Sequence, residues 1–228
     1  MAIRLEKGQN SQLDIDIFHV GLGWDVREDS SSDEDFDLDV SAFLLTSNKK
    51  ILSDDYLVFY NSEFRVRPSN LSKIVRYTEW TNGRFEWSDS ENEAMRHESR
   101  PTDPEISVIG SIDDEDGSTS EDGDDETMDI NLKKVHPNVT EVVICVSIHK
   151  YMERKQNFGQ VERAYVRIYK PGQSDGEGEY IYDLTEDFST CASVEFCRLY
   201  RKDNGWKIQA LGIGHKGGLE ELVNKFQQ

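Results

Sequence analysis

The continuous apolar run that decides the fold class is VVICVSI, residues 142–148. Such a run, bounded by polar residues, is typical of a β-strand that is buried on both faces. Short runs rich in β-branched and aromatic residues recur along the chain, and turn sequences such as Asp203-Asn204-Gly205 separate them. Many short strands with few helices predict an all-β protein, folded as an antiparallel two-sheet β-sandwich.

One segment has helical spacing instead. Apolar residues recur at i, i+3, i+4 and i+7 after Gly217-Gly218, at Leu219, Leu222, Val223 and Phe226. This periodicity predicts a C-terminal helix with one buried face.

Residues 62–105 depart from the rhythm of short strands, because they are rich in Ser, Asn, Arg and Glu. Asn82-Gly83 within this region indicates a tight β-hairpin. We therefore interpret the chain as a single domain, residues 1–228, with an inserted surface hairpin at about 62–105. The alternative for this region is a mostly disordered loop.

The charge is strongly negative and unevenly spread. The chain has 45 acidic and 26 basic residues, a net charge of −19. Sixteen acids lie in residues 28–39 and 113–126, and the rest of the chain carries a net charge of −3. An acidic surface argues against nucleic acid or anionic lipid as a partner. No apolar run approaches about 18 residues, so we expect no membrane span.

The N-terminal residues lack the apolar region of a signal peptide. The cysteines, Cys145, Cys191 and Cys197, are odd in number and lack CxxC spacing, which suits a reducing compartment. We therefore expect a cytoplasmic protein. Direct thiol chemistry at these cysteines is a further hypothesis, and the position of Cys145 within the apolar run argues against it, because a buried cysteine is inert.

Carboxylates alternate with apolar residues in DFDLD, residues 35–39. In a strand, Asp35, Asp37 and Asp39 share one face at a spacing of about 7 Å. Each adjacent pair then repels by about 2 kcal/mol at an effective dielectric constant of about 20. No Lys or Arg interleaves with them, so this face needs a bound cation or bulk water.

The second acidic cluster, residues 113–126, contains glycines that permit tight turns. Loops of this composition can surround a hard cation with oxygen ligands. Ca²⁺ fits this donor set better than Zn²⁺, which prefers His and thiolate ligands. A solvated acidic surface without a metal remains the alternative.

Six ordered motifs together resemble the TerD family of tellurite-resistance and stress-response proteins. They are GLGWD (21–25), DFDLDVSAFLL (35–45), FYN (59–61), DGDDE (122–126), FGQV (158–161) and YDLTED (182–187). The resemblance spans residues 1–61 and 106–228. It implies a β-sandwich in bacterial cytoplasm that binds Ca²⁺ through the acidic motifs, without established catalytic activity.

The expected cofactor is Ca²⁺, as two ions. The resemblance implies ligands at Asp25, Asp37, Asp39, Asn61, Asp122, Asp124, Asp125 and Glu126. The acidic clusters themselves add Asp35 and Asp116 as candidates.

Two functions compete. The first is a calcium-binding, non-catalytic module that interacts with proteins of a stress-response complex. The second is a metal-dependent hydrolase that holds cations over a phosphoester. An enzyme needs a base and a cationic group beside the metal. No Lys or Arg accompanies the acidic motifs, and we interpret His19 as a core or surface imidazole. We therefore favour the binding module.

Overall fold

The fold class predicted from the sequence is confirmed. The computed structural model describes residues 2–26, 37–76, 98–112, 124–173, 179–183 and 188–227. Its strands are β1 Ile3–Arg4, β2 Asn10–Leu13, β3 Ile17–Val26, β4 Leu38–Leu45, β5 Leu57–Val58, β6 Phe64–Arg67, β7 Asn70–Arg76, β8 Arg100–Pro101, β9 Val108–Ile109, β10 Glu126–Asn131, β11 Glu141–Ile148, β12 Val161–Tyr169, β13 Tyr180–Asp183, β14 Ser193–Lys202 and β15 Gly205–His215. The helices are α1 Tyr151–Arg154 and α2 Leu219–Phe226, and Asp54–Tyr56 and Phe158–Gln160 are 3₁₀ turns.

Within the described residues, the strands form two six-stranded sheets and one three-stranded sheet. Sheet A has the order β1-β13-β12-β3-β10-β9, and sheet B has the order β2-β15-β14-β11-β4-β5. The small third sheet has the order β7-β6-β8. The pairing of β1 with β13 is parallel, whereas the other pairings are antiparallel.

The apolar run at 142–148 lies in β11, which pairs with β4 on one side and β14 on the other. Every residue of β11 and β4 is buried, as a continuous apolar run predicts. In β10, Met128 and Ile130 are buried in the core, while Thr127 and Asp129 are partly exposed. This alternation places one face of sheet A in the core that it shares with sheet B.

The C-terminal helix α2 packs on sheet B. Leu222 and Phe226 are buried, and the Phe226 ring lies 4.8 Å from the ring of Phe43 in β4. Leu219 and Val223 are partly buried against the same core, so the helical face predicted from the sequence is the face that packs. In the part of the chain that the structure describes, no helix is long and apolar enough to cross a membrane.

Both described ends of the 62–105 region are built into the protein. Arg65 is 1% exposed and donates hydrogen bonds to the Ser99 hydroxyl, to the Ser99 carbonyl and to the Tyr60 carbonyl, at 2.7, 2.8 and 2.7 Å. The carboxylate of Asp103, itself buried, accepts hydrogen bonds from the backbone N–H groups of Ser107 and Val108. The predicted Asn82-Gly83 hairpin lies outside the described residues.

Candidate metal centre

Asp37 and Asp39 lie at the start of β4, next to the end of β11. Asp39 pairs in register with Ser147, and the Asp37 carbonyl accepts a hydrogen bond from the His149 backbone N–H at 2.8 Å. Both aspartates are only 8% exposed. Carboxylates this deeply buried require compensating charge, so the surroundings of these two side chains decide their state.

The fold brings cationic groups to both aspartates. Arg154 in α1 has its Nη1 3.7 Å from Oδ2 of Asp37, and His149 has its Nδ1 3.5 Å from Oδ2 of Asp39. The hydrogen bond with Asp39 raises the pKa of His149 against the lowering effect of burial. This pairing could not be predicted from the sequence, because Arg154 and His149 lie more than 100 positions along the chain from the aspartates.

Glu126 brings the second acidic cluster to the same place. It is the first residue of β10 and shares the core-facing alternation of Met128, which turns its side chain toward sheet B. Glu126, Asp39 and Tyr60 line one small cavity of about 10 Å³. A space of this size holds roughly one water molecule or ion. Asn61, the neighbour of Tyr60, is exposed in the turn after β5.

Asp124 has a different environment on the opposite face of sheet A. Its carboxylate accepts hydrogen bonds from Arg167 Nε at 2.7 and 3.0 Å and from the Tyr165 hydroxyl at 2.9 Å. Burial lowers the pKa of Arg167, but the hydrogen bonds to Asp124 and its negative charge raise it. The structure therefore places Asp124 in a buried ion pair and does not bring it to the cavity of Asp39 and Glu126.

The two glycines of the GLGWD motif make room for this arrangement. A Cβ atom on Gly21 would lie 1.8 Å from Oδ2 of Asp124, and one on Gly23 would lie 2.4 Å from the ring of Tyr165. Asp125 adds two hydrogen bonds to the same strand. Its carboxylate accepts from the Trp24 N–H, and its own N–H donates to the Leu22 carbonyl, both at 2.8 Å. Together these contacts fix the end of the acidic segment on β3.

The remaining candidate ligands lie outside the described residues. These are Asp35, Asp116 and Asp122; for Asp25, the backbone pairs with Glu162 of β12 but the side chain is not described. In the described ranges, no group of three or more His, Cys, Asp or Glu side chains is arranged to hold a metal ion. The described part of the donor set, Asp37, Asp39 and Glu126, consists of carboxylate oxygens and fits a hard cation rather than a transition metal.

Sequence reasoning missed the cationic partners of the acids. One sequence pattern could have indicated the position of Arg167. In β12, Tyr165, Arg167 and Tyr169 alternate with the core residues Val166 and Ile168. That alternation places the three side chains on one outer face of the strand. The sequence alone does not indicate which acid would lie opposite them.

His19, Cys145 and Cys197 have other environments. His19 pairs with Asp129 at 2.6 Å, and Arg100 pairs with the same carboxylate at 2.7 Å. Burial raises the pKa of Asp129, but these two partners lower it below its ordinary value. Burial raises the pKa of Cys197 to about 12 and that of Cys145 well above its ordinary value, so both thiols stay protonated and unreactive.

Comparisons with known proteins agree with the fold. The family model described as "TerD domain" matches residues 1–83 and 97–226, which includes both described ends of the predicted insertion. Tellurium resistance protein TerD from Alcaligenes sp is 34% identical over 233 residues, covering 99% of this chain and 97% of that protein. General stress protein 16U from Bacillus subtilis is 32% identical over 231 residues, with the same coverage of 99% and 97%.

A solved structure has the same architecture. It is a homologue of telluride resistance protein (TerD) from Streptomyces coelicolor A3(2), with a TM-score of 0.54 and 14% sequence identity. The similarity covers 94% of this chain and 99% of that one. With a family model and full-length relatives in agreement, the chain belongs to the TerD family of tellurite-resistance and stress-response proteins.

Proposed function

We propose that this protein is a cytoplasmic, calcium-binding, non-catalytic interaction module of a bacterial tellurite-resistance and stress-response system. One observation carries the metal proposal. Asp39 from sheet B and Glu126 from sheet A, far apart in sequence, line the same small cavity. Asp37 lies two residues from Asp39 and is equally buried.

The chemistry of these side chains favours Ca²⁺. Ca²⁺ takes 6–8 oxygen ligands in flexible geometry, whereas Mg²⁺ requires a stricter octahedron and keeps its waters. The named residues supply only part of such a shell, and the acids next to them in sequence, including Asp35 and those of 113–123, are the candidates for the rest. A cation bound between Asp39 and Glu126 would connect the two sheets.

Calorimetry tests this proposal. We expect the wild-type protein to bind Ca²⁺ more tightly than Mg²⁺, and Asp39→Asn and Glu126→Gln each to weaken calcium binding strongly. The control is Asp203→Asn, an exposed aspartate in the β14–β15 turn. Unchanged calcium affinity in both Asp39→Asn and Glu126→Gln would exclude the cavity as the site.

A metal-dependent phosphoesterase is the second candidate, and one observation favours it. Arg154 and His149 lie beside Asp37 and Asp39, so a cationic group and an imidazole accompany the carboxylates. Such groups can stabilise developing charge and transfer protons. Turnover of bis(p-nitrophenyl) phosphate with Mn²⁺ or Mg²⁺, abolished in His149→Gln, would support this function. Absence of turnover with either ion would leave the binding module.

A further inference from the structure

A cleft of about 500 Å³ lies between the segment that follows β11 and the start of α2. Residues 147–153 form one wall of the cleft, and residues from 217 to 224 form the other. Asp39 and Tyr60 also line the cleft. Small-molecule binding sites in proteins commonly have volumes of about 300–1,000 Å³. The cleft is fifty times larger than the small cavity shared by Asp39 and Glu126.

Hydrogen bonds and close packing fix the wall at the start of α2. The Gly217 carbonyl accepts from the Ser193 hydroxyl at 2.8 Å, and the Gly217 N–H donates to Glu221 Oε2 at 2.5 Å. The backbone of Gly218 packs against Tyr151, because a Cβ at this glycine would lie 3.2 Å from the tyrosine ring. The cleft is therefore formed before any ligand arrives, which lowers the entropic cost of binding.

The charges that line the cleft favour a cation. Four carboxylates line it, against one lysine and one histidine; they belong to Asp39, Glu153, Glu220 and Glu221. A helix N-terminus ordinarily attracts anions. Here the first turn of α2 is acidic, and Glu221 already accepts from the Gly217 N–H, so an anion would meet two carboxylates. The net charge of the whole chain, −19, further favours a cationic ligand over an anionic one.

Apolar surface lies beside these carboxylates. Met152 is 73% exposed, and the partly buried side chains of Tyr151 and Leu219 line the same cleft. Methionine and tyrosine side chains that reach the surface are typical of protein-binding sites, because they present apolar contact area and methionine adapts its shape. Arg and Lys side chains combine an apolar stem with a charged end, which matches a cleft of this composition.

We propose that this cleft is a docking site for a basic segment of a partner protein. An Arg or Lys side chain of that segment lies along Tyr151 and Met152 and places its charge among the carboxylates of Asp39, Glu153 and Glu220. Asp39 also belongs to the proposed calcium site, so the cleft has its full negative charge when no calcium is bound. Glu153, Glu220 and Glu221 lie outside that site and line the cleft in either state.

The test is a titration followed by amide NMR in buffer containing EDTA. The probe is the blocked peptide Ala-Arg-Leu-Arg-Ala, and its control replaces both arginines with citrulline, a neutral isostere. We expect saturable shifts at residues 149–153 and 217–221, and about tenfold weaker binding of the citrulline peptide, a difference of about 1.4 kcal/mol. Raising the salt concentration should weaken the binding of the arginine peptide, because salt screens the charges.

Variants at exposed positions separate docking from folding. The double variant Glu153→Gln with Glu220→Gln should bind the arginine peptide at least severalfold more weakly. The control is Glu6→Gln, which changes an exposed acid outside the cleft and should leave the affinity unchanged. Equal binding of both peptides, or shifts centred on another surface, would overturn the proposal. Concentration-dependent shifts at the cleft without peptide would also overturn it, because a second copy of the chain would then be the occupant.

Discussion

Arg167 and Asp124 form a buried ion pair on the outer face of sheet A. The Arg167 Nε lies 2.7 Å from the Asp124 Oδ1, and the two side chains are 4% and 1% exposed. The Tyr165 hydroxyl donates to the same carboxylate, so the negative charge has three hydrogen bonds from two residues. A buried carboxylate with this many partners fixes its segment firmly. The pair therefore holds the start of β10, and with it Glu126, next to β3.

Removing one partner of this pair should be strongly destabilising. Arg167→Met leaves Asp124 buried without its cation, and we expect the free energy of unfolding to fall by about 3–5 kcal/mol. Denaturant titration measures this change. The control is Arg4→Met, which removes the exposed pair of Arg4 with Asp183 and should cost less than about 1 kcal/mol. Similar losses in both variants would contradict a special role for the buried pair.

Gly21→Ala should destabilise the protein through the same carboxylate. The new Cβ would lie 1.8 Å from Asp124 Oδ2, so the ion pair must shift, at a cost of about 1–3 kcal/mol. Gly205→Ala is the control, because its Cβ meets mainly the flexible end of Gln12. The double variant Gly21→Ala with Asp124→Ser should lose less stability than the sum of the single variants. Additive losses would show that the clash lies elsewhere.

Calcium should stabilise the folded protein. A ligand at 100 times its dissociation constant adds about 2.7 kcal/mol per site if it does not bind the unfolded chain. We expect calcium to raise the melting temperature more than magnesium does, and this rise to shrink in Asp39→Asn and Glu126→Gln but persist in Asp203→Asn. Thermal unfolding with each ion measures it. An undiminished calcium response in the two cavity variants would remove Asp39 and Glu126 from the site.

The stability of the protein should fall in acid partly through Glu195. Burial raises the pKa of Glu195, but hydrogen bonds from His215 and Lys225 lower it below its ordinary value of 4.5. Because the folded-state pKa is depressed, this contribution is present above the unfolded-state pKa near 4.5 and is lost as the pH falls through the folded-state value. His215 also contacts Glu221, so the cluster joins the carboxylates of Glu195 and Glu221 to His215 and Lys225.

Lys225→Met should therefore reduce the loss of unfolding free energy between pH 6 and pH 3, because the native state no longer depresses the Glu195 pKa as far. Urea titrations across this range measure the slope. The exposed Lys202, replaced by Met, is the control. A slope in Lys225→Met as steep as in the wild-type protein would show that Glu195 does not contribute to acid unfolding.

The central part of the 62–105 region should be dispensable, whereas its ends should not. The family match omits residues 84–96, and Arg65 at one end is fully buried and hydrogen-bonded to Ser99 and Tyr60. Replacing 84–96 with a short Gly/Ser linker should leave the melting temperature nearly unchanged, but Arg65→Met should lower it by several degrees. A linker variant that fails to fold would make those residues part of the core.

Local pattern determined the architecture of this protein. The run at 142–148 predicted the central strand β11, and the spacing of Leu219, Leu222 and Phe226 predicted α2 and its buried face. These predictions succeed because the side-chain periods of 2.0 and 3.6 residues are properties of a single segment. The alternation of Asp37 and Asp39 likewise identified acids that the structure places in a confined environment.

The tertiary structure alone decided which charges meet. Asp124 and Glu126 are only two residues apart. Asp124 pairs with Arg167 on the outer face of sheet A, whereas Glu126 lines a cavity with Asp39 of sheet B. Likewise, Arg154 reaches Asp37 from a helix more than 100 residues away. Electrostatic pairing acts over a few ångströms in space, and strand register and sheet order set those distances, so no local pattern of acids contains this information.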